Sequence, residues 1–194
     1  MGDKRNRTKA LIISKSLPLF GQKGFTQVTM KDVCEATGMS RGGLYSHFAS
    51  TIDIFEEILK CITHNDAMEF TQGIREGKSA VEMLDIALES MESELIRSDN
   101  SLERAIYEFA AGVDKEFMQE LNKKAEEKWK SLIEYGIIRK EFKEVDIDGI
   151  TGSILYIYQG IRMWGSIVDM RPEMITAVIK NIRNQLVTEV NNEY

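Results

Sequence analysis

The run TMKDVCEATGMSRGGLYSHF, residues 29–48, limits what this chain can fold into more than any other stretch. It reads as two very short helices split by Gly38, with the adjacent glycines Gly42 and Gly43 inside the second. A glycine weakens a helix by about 1 kcal/mol relative to alanine, a large cost in so short an element. Thr29 and Ser40 are placed to cap the two helices with their side-chain oxygens. Val33 and Cys34 on the first helix can meet Met39, Leu44 and Phe48 on the second if the chain turns sharply between them. Gly38 can take the left-handed conformation that this turn requires. Two short helices, a tight glycine turn and a small residue at 34 describe a helix-turn-helix. In such a unit the second helix enters the major groove of DNA and its early residues meet base edges. The glycine pair then has a purpose, because a backbone without side chains at 42 and 43 can approach the groove closely. Arg41 can reach a guanine edge or a phosphate. Tyr45 and His47 offer polar tips to phosphate oxygens, while Phe48 is the better core residue.

The rest of the pattern is helical. Residues 4–24 place Ala10, Ile13, Leu17 and Phe20 at helical spacing, with Gly24 as the stop and Pro18 expected to kink the last turn. A longer helix over 52–71 presents Phe55, Ile58, Leu59 and Ile62. Val81, Leu84, Leu88, Met91 and Leu95 form one later stripe. Phe117, Leu121, Ala125, Trp129, Leu132 and Gly136 form a second. Ile175, Val178, Ile182, Leu186 and Val190 form a third, behind Pro172. Polar breaks at 73–78, 98–101, 143–146 and 170–172 separate these helices, and no strand-like alternation of useful length occurs. The fold expected is all-α, with a helix-turn-helix domain over 1–50 and a larger helical ligand-binding and dimerisation domain over 51–194.

Charge divides the chain at the same place. The net charge is -6, yet residues 1–50 carry eight Lys and Arg against three Asp and Glu. A basic amino-terminal quarter on an acidic body suits local contact with a polyanion that the remainder repels. Cys34 and Cys61 form no disulfide framework and fit a reducing cytosol, so a cytoplasmic location is expected. Residues 149–168 have a span-like length with one charged side chain, but Gln159, Arg162 and several Gly and Ser favour a buried helix over a membrane span. His64 has no partner at metal-ligand spacing and reads as a surface residue, and Cys34 as a small apolar filler. No catalytic, metal or cofactor site is expected.

The run KGFTQVTMKDVCEATGMSRGGLYSHFAS resembles the amino-terminal domain of the tetracycline-repressor (TetR) family of bacterial transcriptional regulators. The resemblance rests on Gly24-Phe25, Thr29, Gly38, Ser40 and the LYSHF run at 44–48, and it covers about a quarter of the chain. It implies a homodimer that puts the third helix of each subunit into successive major grooves of a palindromic operator. It also implies a small-molecule pocket whose occupancy lowers DNA affinity. Carried over by position, the DNA-facing set is Thr29, Lys31, Ser40, Arg41, Gly42, Gly43, Tyr45 and His47. The family commonly has lysine at the position of Thr51; a hydroxyl there can cap the next helix and still bond a phosphate, so Thr51 joins the set.

Seven Met and eleven aromatic residues follow residue 60, and such adaptable side chains suit a pocket for apolar or aromatic ligands. Phe70, Met91, Tyr107, Phe109, Phe117, Trp129 and Tyr156 are the candidate lining, and the same list describes an ordinary core. The dimer is expected through the last two helices. There Ile154, Tyr158, Ile161 and Trp164 lie among Gly152, Ser153, Gly160 and Gly165, small residues that allow close helix approach. The function expected is a repressor released by a small effector. The rivals are a helical enzyme and a protein-interaction or ligand-binding module that never touches an operator.

Overall fold

A computed structural model of the chain describes residues 2–97, 101–112, 115–165 and 167–187, and within them every side chain except those of residues 2, 3, 63–69, 97 and 101. His64 and Val190 lie outside these described side chains. The described residues form nine α-helices and no strand: α1 (Gly2–Lys23), α2 (Met30–Thr37), α3 (Arg41–Tyr45), α4 (Thr51–Arg75), α5 (Ala80–Arg97), α6 (Ser101–Gly112), α7 (Lys115–Ile138), α8 (Ile147–Gly165) and α9 (Pro172–Leu186). The chain divides into two compact units, one of Met1–His64 with Asn100–Met118, the other of Asn65–Asp99 with Gln119–Tyr194. The first unit therefore continues past residue 50 into α4 and takes in α6, a helix for which the sequence offered no stripe.

In the first unit, α1 runs through the exposed Pro18 and buries Ile12, Ser16 and Phe20 at a four-residue spacing. The buried line is thus rotated from the expected one: Ala10 and Leu17 are exposed and Ile13 is half-buried. Alanine and a lone leucine are tolerated on a wet face, so the apolar pattern alone left the face ambiguous. Phe20, Phe25, Phe55, Phe109 and Phe117 make a continuous aromatic cluster, with Phe109 5.0 Å from Phe25 and 5.1 Å from Phe55 between ring centres. Tilted and edge-on rings at such distances add to the gain from burial. The cluster ties α1, α4 and α6 together within the first unit.

The second unit has its own core: Phe70, Met83, Leu84, Leu88 and Leu95 against Trp129, Leu132, Ile133, Ile150, Ile154, Ile175, Ile179 and Ile182. The stripes expected on α5, α7 and α9 supply most of it. The turn after α7 is fixed by Glu141, whose Oε2 accepts bonds from the Ser79 hydroxyl and from the N–H groups of Ala80 and Val81 at the start of α5. Partial burial pushes the Glu141 carboxyl up, but Arg139 and these donors outweigh it and hold it at about 2. In α8 the expected burial is only half realised. Ile150, Thr151, Ile154 and Leu155 are buried, whereas Tyr156, Met163 and Trp164 are exposed. No described helix is long and apolar enough to cross a membrane.

Candidate DNA-reading surface

Each short helix is held by chemistry at its ends. Thr29 caps α2: its Oγ1 accepts from the Asp32 N–H, while the Asp32 carboxylate accepts from the Thr29 N–H at 2.8 Å. Asp32 also binds Lys23 Nζ at 2.7 Å. That lysine and the two Thr29 donors hold its carboxyl well below the usual carboxylate range. Gly38 ends α2 in the left-handed region at φ 69°, the conformation inferred for the turn. Ser40 caps α3 by accepting from the Gly43 N–H at 3.2 Å. A side-chain cap of this kind contributes on the order of 1 kcal/mol, which matters for helices of eight and five residues.

Val33, Leu44 and Phe48 point inward and are buried. Arg41, Gly42, Tyr45 and Ser46 point outward, with Tyr45 48% exposed. Arg41 makes no hydrogen bond or ion pair among the described residues. The two glycines have different roles. A Cβ on Gly42 would meet no atom within 4 Å, whereas one on Gly43 would lie 3.2 Å from the Ser40 Oγ that caps the helix. Gly43 keeps room for the cap, and nothing inside the protein calls for a glycine at 42. An outward residue kept bare without an internal reason is what close approach by an external surface would require.

The other expected contacts scatter more. Thr29 and Ser40 are exposed, but their hydroxyls already serve as caps. Lys31 is exposed and faces Glu35 at 3.8 Å, one turn on. His47 is half-buried, with its Nδ1 enclosed and unpaired, which leaves Nε2 as its outward atom. Thr51 does not cap α4. Ser50 does, in a second box with Asp53: the Asp53 N–H donates to Ser50 Oγ, and Asp53 Oδ2 accepts from the N–H groups of Ala49 and Ser50. The cap requires the residue before the helix, and Thr51 is already its first residue; its hydroxyl has no partner among the described residues. Asp32 and Asp53 were missed in the sequence, although each stands three residues after a Thr or Ser, the spacing of a capping box.

Of the seven candidate lining residues, Phe70 and Trp129 meet inside the second unit with ring centres 5.4 Å apart and Lys128 over both. Met91 packs half-buried against the same core. Phe109 and Phe117 belong to the aromatic cluster of the first unit. Tyr107 and Tyr156 are 63% and 66% exposed. A groove of about 240 Å³ lies between α5 and α9, lined by Asp85, Leu88, Glu89, Glu92, Thr176, Ile179, Lys180 and Arg183. None of the seven lines it. No group of three His, Cys, Asp or Glu side chains able to hold a metal occurs among the described residues.

Residues 12–58 match the family model of bacterial regulatory proteins of the tetR family. They include the capped helices, the glycine turn and the outward face described above. Over this stretch the chain is similar to the DNA-binding domain of TetR-family regulators. TetR-family regulators bind DNA operators and act as dimers. The strongest sequence likeness lies in the reading unit. The HTH-type transcriptional regulator YfiR of Bacillus subtilis (strain 168) is 41% identical over 56 residues, 29% of this chain and 27% of YfiR. That alignment spans about a quarter of YfiR. The HTH-type transcriptional repressor KstR2 of Rhodococcus jostii (strain RHA1) aligns at 28% identity over 152 residues, 76% of this chain and 72% of KstR2. Among solved structures, SmeT, the repressor of the Stenotrophomonas maltophilia multidrug efflux pump SmeDEF, has a TM-score of 0.76 over 94% of this chain and 91% of SmeT. At 14% identity, that likeness establishes the fold.

Proposed function

We propose that this chain is a TetR-family repressor that binds a palindromic operator as a homodimer and is released by a small apolar or aromatic effector. The observation that carries the proposal is the outward face of α3. An unpaired Arg41, a bare Gly42 and an exposed Tyr45 stand on a helix whose inward face is fully engaged. Arg41 supplies a base edge or phosphate contact, Tyr45 and the outward nitrogen of His47 bond phosphates, and Gly42 sets the depth of approach. Thr29, Lys31, Ser40 and Thr51 line the edges of the same contact. Lys4, Arg5, Arg7 and Lys9 add salt-dependent attraction.

The dimer forms through α8 and α9. Ile154 is spent inside the subunit, and Tyr158 and Ile161 pack on its core, so the exposed apolar surface includes Tyr156, Met163, Trp164, Ile167 and Met174. Gly160, with open space at its Cα, permits close approach of a second helix. The effector lodges in the second unit, where Phe70, Met91 and Trp129 lie in or against the core and can repack around an apolar guest. Release is linkage: an effector that favours a conformation with poorer operator contacts weakens DNA binding by the same factor that DNA weakens effector binding. The reading assigns no catalytic residue and no cofactor, and it places the protein in the cytoplasm with its DNA.

The test is selection of duplexes from a random pool by the purified protein, followed by sequencing. An inverted repeat with half-sites about one or two helical turns apart is expected. No enrichment at any salt concentration would overturn the reading in favour of a protein-interaction module.

A further inference from the structure

The turn that leads into the helix-turn-helix is clamped from a distant part of the chain. Glu108 on α6 accepts two bonds at its Oε2, one from the Thr26 N–H and one from the Thr26 hydroxyl, each at 2.9 Å. Its Oε1 faces Arg104 Nε at 3.3 Å. The turn fits these groups closely: at Gly24, with φ +79°, a Cβ would lie 2.7 Å from both Arg104 and Glu108. The next residue on α6, Phe109, is fully buried and touches Phe25 from the apolar side. Consecutive residues of α6 thus hold 24–26 by a carboxylate and by a ring.

We propose that Glu108 is a positioning residue for DNA recognition, fixing through Thr26 the angle at which α2 and α3 leave α1. This inference rests on the DNA-reading function proposed above. The physical case is that hydrogen bonds to an ionised carboxylate are roughly twice as strong as neutral ones. Thr26 is followed by the buried Val28 and by Thr29, the cap of α2, so no slack separates the clamp from the reading helices. The Thr26 N–H leads the causes that hold the Glu108 carboxyl below its usual range, so the clamp is in its charged state at neutral pH. Lys23 and Asp32 link α1 to α2 directly but leave the turn between them unanchored. Phe25 in that turn packs on Phe20, Phe55 and Phe109, and among the described residues Glu108 is the side chain that holds Thr26 by hydrogen bonds.

A residue that sets a pose changes discrimination as well as affinity, whereas one that only stabilises the fold lowers binding to every duplex equally. The test uses the full chain, the duplex it selects, the same duplex with one base pair added between half-sites, and a scrambled duplex. For Glu108→Ala, the selected duplex should bind about tenfold more weakly, corresponding to about 1.4 kcal/mol. The added base pair should then matter several-fold less than it does for the wild type. Thr26→Ser retains both donors and should keep wild-type affinity and discrimination. Glu108→Gln, which keeps the shape and loses the charge, should fall between and covers the case in which the alanine variant does not fold. Wild-type affinity and discrimination in folded Glu108→Gln and Glu108→Ala would overturn the proposal, as would an equal loss on all three duplexes. A wild-type chain that selects no duplex would instead count against the DNA-reading function.

Discussion

The two compact units of this protein are stabilised in different ways. In the first, the reading helices are too short to be held by side-chain packing alone. Each is therefore held by directional chemistry at a defined position: Thr29 with Asp32, Gly38 in the left-handed region, and Ser40 bonded to the Gly43 N–H. In the second, helices of fifteen residues and more lie against one another along apolar stripes. There the register follows from the stripe, and many side chains would serve equally well at a given core position. Where structure depends on particular atoms, sequence likeness survives, as the 41% identity with YfiR over 56 residues shows. Where it depends on volume and polarity, the fold persists at 14% identity.

That contrast can be tested by substitution, and the largest effect belongs to the reading face. Arg41→Ala with Tyr45→Phe should cost about a hundredfold or more in operator affinity, since each lost contact recurs in both half-sites. Thermal unfolding should hardly change, because neither side chain is buried. A parallel fall in melting temperature would show that the face is structural. Next comes the second unit's outer surface. Trp164→Glu places a charge in the proposed dimer contact, where an unpaired charge costs several kcal/mol, and sedimentation should find monomers at roughly micromolar concentration. A dimer that persists unchanged would move the interface elsewhere.

The glycine pair gives a smaller and sharper result. Gly42→Ala should raise stability by up to about 1 kcal/mol, because its Cβ meets nothing within 4 Å. The same change should weaken operator binding about tenfold by holding the backbone off the groove. Gly43→Ala should gain less stability or lose some, since its Cβ crowds the Ser40 cap. The smallest effect is electrostatic and lies in the second unit. Glu141 has a folded-state value of about 2 against an ordinary 4.5. Between these values the unfolded chain binds more protons, so the stabilisation from Glu141 is complete above pH 4.5 and is lost as pH falls towards 2. Glu141→Gln should lower stability by about 1 kcal/mol at pH 7 and flatten the acid limb of the melting curve. An unchanged acid limb would show that the α5 cap owes nothing to the charge.

Legibility in the sequence follows the same division. The caps at Thr29 and Ser40, the turn at Gly38 and the inward Leu44 and Phe48 were readable because each is a local event within four or five residues. The stripes on α5, α7 and α9 were readable because burial repeats with the helical period. The face of α1 was not, since Ile12 and Ser16 bury where Ala10 and Leu17 fit the period equally well. The aromatic residues were the least legible. Phe109 and Trp129 look alike along the chain, yet one joins the aromatic cluster of the first unit and the other the second unit's core.

By itself, the sequence determined the helical class and the helix-turn-helix with its caps and turn, because short helices must carry these within a few positions. The tertiary structure alone decided that α6 joins the first unit and that Glu108 reaches Thr26 across 82 residues of chain. It also decided which residues of α8 are buried and which are exposed. Such choices depend on which surfaces meet, and no local spacing encodes a meeting between residues so far apart.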